Sequence, residues 1–247
     1  MNKEEFERKT RKSEEALHAY DGMIHALFAP YRDNVDDMIV LAILTSWLSN
    51  GVKGEEDAFH HILYDIMGGH PSKYIYDYGG DAISMKRGCI IGHLTWTHLS
   101  NLLSLLASYV PLSTIPLHED KEGNDDGREM GGDLGQGHCL FFHERAAAVI
   151  GDTNTGFPTL AARGTFYRYN YLHYLLSYKL DVWPMARPSY ALLPCNDKVF
   201  ENAYKVGLTS RKIRDATVHS CMMLTTMGEE MYGETDYYKL FEKLAHM

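Results

Sequence analysis

Apolar side chains recur at helical spacing along most of this 247-residue chain. The segment 99–110 shows the pattern well, since Leu99, Leu102, Leu103, Leu106 and Val110 fall on one stripe of a helix. Alternating β-branched runs bounded by turn residues, which would indicate strands, are few. The spacing therefore predicts an all-α fold whose core is built from residues 36–48, 94–109 and 166–178. Trp47 is expected to be buried in that core.

Prolines, glycines and capping residues mark the ends of the predicted helices. Asp33 or Asn34 can cap a helix, and Pro194 and Gly207 bracket another. Helices are expected at about 3–28, 35–48, 55–67, 71–78, 94–110, 138–150, 165–180, 196–206, 210–228 and 235–246.

One segment does not fit a helical core. Residues 118–137 contain six glycines and seven acidic residues, so they bury too little apolar area to order themselves. We expect a long acidic, Gly-rich mobile loop at 113–137. The chain is then a single helical domain, 1–247, or two lobes at about 30–112 and 138–247 joined by that loop.

Composition excludes several classes of protein. Apolar residues make up 45% and charged residues 23%, an ordinary balance for a soluble protein. No segment has the pattern of a signal peptide or a membrane span. The four cysteines form no CxxC pair, which argues against a zinc ribbon or a disulfide framework and favours a reducing cytoplasm. Cys195 precedes a predicted helix, where a thiol pKa can fall, although a small buried residue is the commoner role.

The histidines do not suggest a metal site. Neighbouring pairs are one or five positions apart, as in His60-His61 and in His93 with His98. Helical ligand pairs need a spacing of four, which places both side chains on one face. We therefore expect no metal, and in the absence of a phosphate-binding glycine loop we expect no cofactor.

Charge is distributed unevenly along the chain. The net charge is −9, yet residues 160–219 carry nine basic and four acidic side chains. A local basic patch is typical of a polyanion partner such as nucleic acid. An acidic protein surface, or a chance excess of basic residues on solvated helix faces, are the alternatives. The basic residues are Arg163, Arg168, Lys179, Arg187, Lys198, Lys205, Arg211, Lys212 and Arg214.

Four tyrosines lie on one face of the predicted helix at 165–180. Tyr167, Tyr171, Tyr174 and Tyr178 are spaced by four, three and four residues. An aromatic core stripe is the favoured interpretation. Stacking of some of these rings on nucleic-acid bases is the functional alternative.

Three motifs, in their order and spacing, resemble the bacterial family known as domain of unknown function 2400. They are Ser-Trp-Leu-Ser-x-Gly at 46–51, Gly-x-Pro-x-x-Tyr-Ile at 69–75, and the run 192–212, which contains Leu-Leu-Pro, Val199 and Gly-Leu-Thr-x-Arg-Lys. The resemblance covers most of residues 35–245 outside the acidic loop. That family is similar to the all-helical helix-hairpin-helix DNA glycosylases.

The resemblance implies a location for the active site. In those glycosylases an essential Asp lies at the start of a helix that follows a proline, where it stabilises an oxocarbenium ion, and a hairpin Lys often serves as the nucleophile. Matching Pro194, Val199 and Gly207 places Asn196 at the carboxylate position and Asp197 one residue late. Asn196 can cap the helix but supplies no charge. Tyr167-Arg168 occupies the place of a Lys-Arg pair, and iron–sulfur cysteines are absent.

The sequence leaves three functional hypotheses open. The first is a diverged, non-catalytic glycosylase-fold protein that binds duplex DNA weakly through residues 160–219. The second is a working base-excision glycosylase or lyase that uses Asp197, with Lys198 or Lys179 as the amine. The third is a helical structural or partner-binding protein. The candidate catalytic residues are Asn196 and Asp197, and the candidate nucleic-acid-binding residues are Tyr167, Arg168, Lys198, Arg211, Lys212 and Arg214.

Overall fold

The computed structural model describes residues 1–49, 53–109, 111–112, 150–158, 164–182 and 192–247. The described chain is mostly helical, which confirms the predicted helical class. It divides into two units. We call Asp33–Ala162 the central unit, and Met1–Arg32 together with Arg163–Met247 the terminal unit. The loop predicted at 113–137 lies outside the described residues.

The elements follow in chain order. The helices are α1 (Lys3–Thr10), α2 (Ser13–Phe28), α3 (Val35–Leu48), α4 (Glu55–His60, continued by a π-helical turn His61–Ile66), α5 (Pro71–Tyr78), α6 (Trp96–Ala107), α7 (Tyr167–His173, continued by a π-helical turn Tyr174–Lys179), α8 (Asp197–Val206), α9 (Val218–Tyr232) and α10 (Tyr238–Ala245). Strands β1 (Cys89–Ile91) and β2 (Leu94–Thr95) precede α6, and short 3₁₀ turns lie at Ala29–Tyr31, Asp81–Ile83 and Thr153–Thr155.

Helix α3 forms the centre of the central unit. It begins at the predicted place, because the Asn34 side chain accepts hydrogen bonds from the backbone N–H groups of Asp36 and Asp37. Trp47 is fully buried, as predicted. Its indole N–H donates to the carbonyl of Thr155 at 2.7 Å, which satisfies the one polar group of the ring.

A small antiparallel hairpin precedes α6 in the mostly helical chain. Cys89 pairs with Thr95 and Ile91 pairs with Leu94, and Gly92 adopts φ +56° in the turn, which a residue without Cβ does at no steric cost. The helix predicted from 94 therefore begins at Trp96. Thr95 caps it by accepting from the His98 backbone N–H at 3.2 Å.

The terminal unit brings both ends of the chain together. Phe6 of α1 and Phe28 of α2 are buried in the same unit as Phe200 of α8. The Asn202 side chain of α8 donates to the Leu244 carbonyl near the end of α10 at 2.8 Å. The N-terminal helices therefore belong to the unit that carries the basic segment.

The helix predicted at 210–228 is wrong over its first part. Gly207 ends α8 in the left-handed region at φ +84°, and the Leu208 N–H donates to the Ala203 carbonyl. The chain stays non-helical until Val218. There the Thr217 N–H donates to Ser220 Oγ at 3.3 Å, an N-terminal cap that fixes the start of α9 eight residues later than predicted.

Candidate nucleic-acid interface

The start of α8 holds the two candidate catalytic residues. Asn196 has extended backbone angles, and its side-chain oxygen accepts from the Val199 N–H at 3.0 Å. The predicted capping role of Asn196 is thereby confirmed. Asp197, the first residue of α8, is exposed. Its carboxylate lies at the positive end of the helix dipole, where it stabilises the helix without any ligand.

The candidate amines are already engaged. The Lys198 amine donates to the Ala245 carbonyl at 2.8 Å, an interaction that satisfies an end carbonyl of α10. The Lys179 amine is 2.7 Å from Asp21 Oδ1 and also pairs with Glu242. Neither amine is presented as a free nucleophile.

The non-helical segment 207–217 carries the exposed basic residues. Arg211, Lys212 and Arg214 are all exposed. Lys212 lies 3.9 Å from Glu201 Oε1, a separation at which an exposed pair contributes little. Within the described residues, Arg211 and Arg214 have no ion-pair partner. Two guanidinium groups and a loosely held ammonium are therefore available to an anion.

A basic residue that the sequence analysis did not select lies beside this segment. The Lys9 amine of α1 donates to the Val206 carbonyl at 2.7 Å. It also lies 3.6 Å from where a Cβ on Gly207 would be. The run Arg-Lys-Thr-Arg-Lys at 8–12 could have been noticed in the sequence, but the acidic balance of residues 1–117 obscured it.

One of the two predicted nucleic-acid-binding residues at the start of α7, Arg168, is buried. Arg168 is only 7% exposed, because its part of the helix faces the interior of the unit. This differs from the prediction that Arg168 contacts phosphate. Tyr167 is partly exposed and stacks on Tyr171, with ring centroids 5.6 Å apart and planes 8° apart.

The tyrosines that follow Tyr167 on the same face of α7 form a core stripe. Tyr171 and Tyr174 are buried, and the ring centroids along the stripe are 5.9 Å apart for Tyr171–Tyr174 and 5.7 Å for Tyr174–Tyr178. The favoured interpretation from sequence is thus confirmed. The Tyr20 hydroxyl of α2 lies 2.5 Å from that of Tyr171, which ties α2 to the stripe.

A buried ionic cluster closes this core. The Tyr174 hydroxyl donates to Glu242 Oε1 at 2.8 Å, and Glu242, at 5% exposure, also pairs with Lys179. Burial, with the nearby Tyr20 and Glu242, raises the pKa of Tyr174 well above its usual value. The cluster joins α2, α7 and α10 and satisfies each of its charges internally, so its chemistry is structural.

Two buried thiols are neighbours: Cys195 lies just before α8, and Cys221 lies in α9. Cys195 and Cys221 are fully buried. Burial and the neighbouring Cys221 raise the pKa of the Cys195 thiol well above its usual value. A thiol in this state is a poor nucleophile, which supports the interpretation of Cys195 as a small buried residue.

Comparison with protein-family models, with curated proteins and with solved structures found no match.

Two further observations concern metals and membranes. Within the described residues, no group of three or more His, Cys, Asp or Glu side chains is arranged to hold a metal ion. None of the helices in that part of the chain combines the length and the apolar composition that a bilayer crossing requires.

Proposed function

We propose that this chain is a diverged member of the helix-hairpin-helix glycosylase-like proteins that binds duplex DNA weakly and does not excise bases. The observation that carries the proposal is the exposed, non-helical segment 207–217, in which Arg211 and Arg214 have no ion-pair partner among the described residues. When these two guanidinium groups bind phosphate, no existing ion pair within the described residues has to be broken. A protein of this kind acts in the cytoplasm, where its cysteines stay reduced.

The start of α8 supports the non-catalytic part of the proposal. The position that the family resemblance gives to a carboxylate holds the Asn196 amide, whose oxygen is used by the Val199 N–H. An amide cannot balance the positive charge of an oxocarbenium ion, and loss of such an electrostatic group typically costs about 10²–10³ in rate. The hydrogen bond of the Lys198 amine and the ion pairs of the Lys179 amine support the absence of a lyase activity as well.

The strength of binding follows from the charge of the chain. The net charge is −9, so long-range repulsion opposes the attraction of the patch. Three to five phosphate contacts of this kind give roughly micromolar affinity or weaker near physiological salt. The affinity is expected to be nearly independent of base sequence, because phosphate contacts carry no sequence information.

Binding is tested by fluorescence anisotropy of a labelled duplex at low salt. The triple variant R211Q/K212Q/R214Q is compared with K53Q/K73Q/R87Q, which removes the same charge from exposed positions of the central unit. We expect the first variant to lose most of its binding and the second to retain it. Equal losses of affinity in the two variants would mean that binding depends only on the net charge of the protein and not on segment 207–217. If the wild-type protein does not bind the duplex, the DNA-binding proposal fails and the partner-binding hypothesis remains.

Catalysis is tested separately on duplexes that carry an abasic site, uracil, an alkylated base or an oxidised base. The wild-type protein should release no base, and Asn196→Asp should show whether a carboxylate at that position restores any excision. Robust excision by the wild-type protein, lost in Asp197→Asn, would contradict the proposal and establish Asp197 as the functional carboxylate.

A further inference from the structure

The carboxylate of Glu201, in α8, lies between two amines at the edge of the basic segment. Its Oε1 atom is 3.4 Å from the amine of Lys205, which follows it in the last turn of α8. The same oxygen is 3.9 Å from the amine of Lys212, which belongs to the non-helical segment 207–217. Because both amines approach one oxygen atom, they are near neighbours. The observed contacts therefore extend the basic surface from Lys212 onto α8.

All three side chains are open to solvent. The exposed fractions of the side chains are 58% for Lys205, 45% for Glu201 and 52% for Lys212. Within the described part of the chain, neither amine has an ion pair with any other carboxylate. Exposed pairs of this kind are weak, because water and salt screen them. A duplex carries a far higher density of negative charge than one carboxylate, so its phosphates can take the place of Glu201 at both amines.

One of the two contacts also has a role in the helix itself. Glu201 and Lys205 are four residues apart with the acidic residue first, which is the favourable orientation in a helix. A cation in the last turn, such as Lys205, also interacts favourably with the helix dipole. This role does not explain the contact with Lys212, which lies outside the helix. That contact connects Glu201 with the segment for which DNA binding is proposed.

We propose that Lys205 is a further phosphate-binding residue of this surface, and that Glu201 limits the affinity for duplex DNA by competing with phosphate for Lys205 and Lys212. The inference rests on the DNA binding proposed above and adds a residue and a means of regulation to it. On binding, each amine exchanges the carboxylate for a phosphate oxygen. The freed carboxylate then stays close to the backbone and repels it, so the affinity is lower than the basic residues alone would give.

The contribution of Lys205 is tested by the salt dependence of duplex binding. Lys205→Gln is compared with Lys73→Gln, because Lys73 is an exposed residue of the central unit that also pairs with an acidic residue four positions away, Asp77. Each phosphate contact contributes roughly 0.9 to the slope of log K against log salt concentration. Lys205→Gln should therefore lower the magnitude of that slope by about 0.9, while Lys73→Gln should retain the wild-type slope.

The competition is tested by removing the carboxylate. Glu201→Gln should tighten duplex binding about two- to fivefold at low salt compared with Asp77→Asn, since an exposed ion pair accounts for a factor of about this size. Asp77→Asn removes the same charge from the pair in the central unit and so measures the effect of net charge alone. In the background K205Q/K212Q no amine remains for Glu201 to hold. There, Glu201→Gln should tighten binding no more than Asp77→Asn does.

The outcomes separate this inference from the DNA-binding proposal. If R211Q/K212Q/R214Q weakens binding, but Lys205→Gln keeps the wild-type slope or Glu201→Gln behaves like Asp77→Asn, the inference is refuted and the DNA-binding proposal stands. If Glu201→Gln tightens binding equally in the background K205Q/K212Q, Glu201 acts on DNA directly and the competition is refuted. If the wild-type protein does not bind the duplex, both proposals fail. Unchanged circular dichroism of each variant shows that it is folded.

Discussion

The buried contact between Lys179 and Glu242 offers a quantitative test of how the terminal unit is held together. Glu242 accepts the Tyr174 hydroxyl and pairs with Lys179, which also pairs with Asp21 on the more exposed side. Glu242→Leu leaves a buried amine with one half-exposed partner. Breaking a buried pair typically costs about 3–5 kcal/mol. We expect the lower half of that range, because Asp21 remains.

Lys179→Met should cost about as much or more, since it leaves the more deeply buried carboxylate with only a tyrosine hydroxyl. The double variant K179M/E242L removes both charges and fills their space with apolar groups. Replacement of a complete buried pair in this way is often nearly neutral. The double variant should therefore be more stable than the sum of the single changes predicts, by about 2–3 kcal/mol.

The measurement is urea-induced unfolding of the full chain, followed by far-ultraviolet circular dichroism for the wild-type protein, the two single variants and the double variant. Glu242→Gln is the matched control, because it keeps an acceptor for the Tyr174 hydroxyl and loses only the charge. If the free energies of the two single changes add within about 0.5 kcal/mol, the side chains do not interact and the cluster does not stabilise the unit.

Three further predictions concern stability. Burial and the nearby Lys198 lower the pKa of His246, so the unfolded chain binds a proton more readily than the folded chain. The free energy of unfolding should therefore fall as the pH decreases through about 6.5. The substitution His246→Gln should flatten this dependence in thermal melts measured at several pH values. Gly80→Ala places a Cβ 1.9 Å from the Ser100 carbonyl oxygen and should cost at least about 2 kcal/mol in urea unfolding. Trp47→Ala should cost about 3–5 kcal/mol in the same assay, and a loss below 1 kcal/mol would contradict its burial.

Local periodicity predicted the helical elements because the signals are contained in the elements themselves. Asn34 caps α3, and Gly207 ends α8, at the expected places. The hairpin before α6 was missed because two short strands give no alternating run long enough to recognise. Helix α9 starts later than predicted because Thr217 and Ser220 form its N-terminal cap. The sequence pattern fits an earlier start equally well.

Long-range organisation could not be derived in the same way. The buried position of Arg168 and the contact of Lys9 with Val206 depend on which helices pack together. Neither residue carries a local signal of its partner, since Lys9 and Val206 are separated by 197 positions. The helix cap at Asn196 could therefore be predicted from the sequence, whereas the non-helical backbone after Gly207 and the contact of Lys9 with Val206 required the structure.

The central claim, that a basic surface of the terminal unit binds nucleic acid through phosphate contacts, is tested most directly by the salt dependence of duplex binding. For the wild-type protein, the logarithm of the binding constant should fall linearly with the logarithm of salt concentration, with a slope of about −2.7 to −4.5 for three to five phosphate contacts. In R211Q/K212Q/R214Q the magnitude of the slope should decrease by about 2.7. Absence of binding, or a slope that this substitution leaves unchanged, would contradict the account.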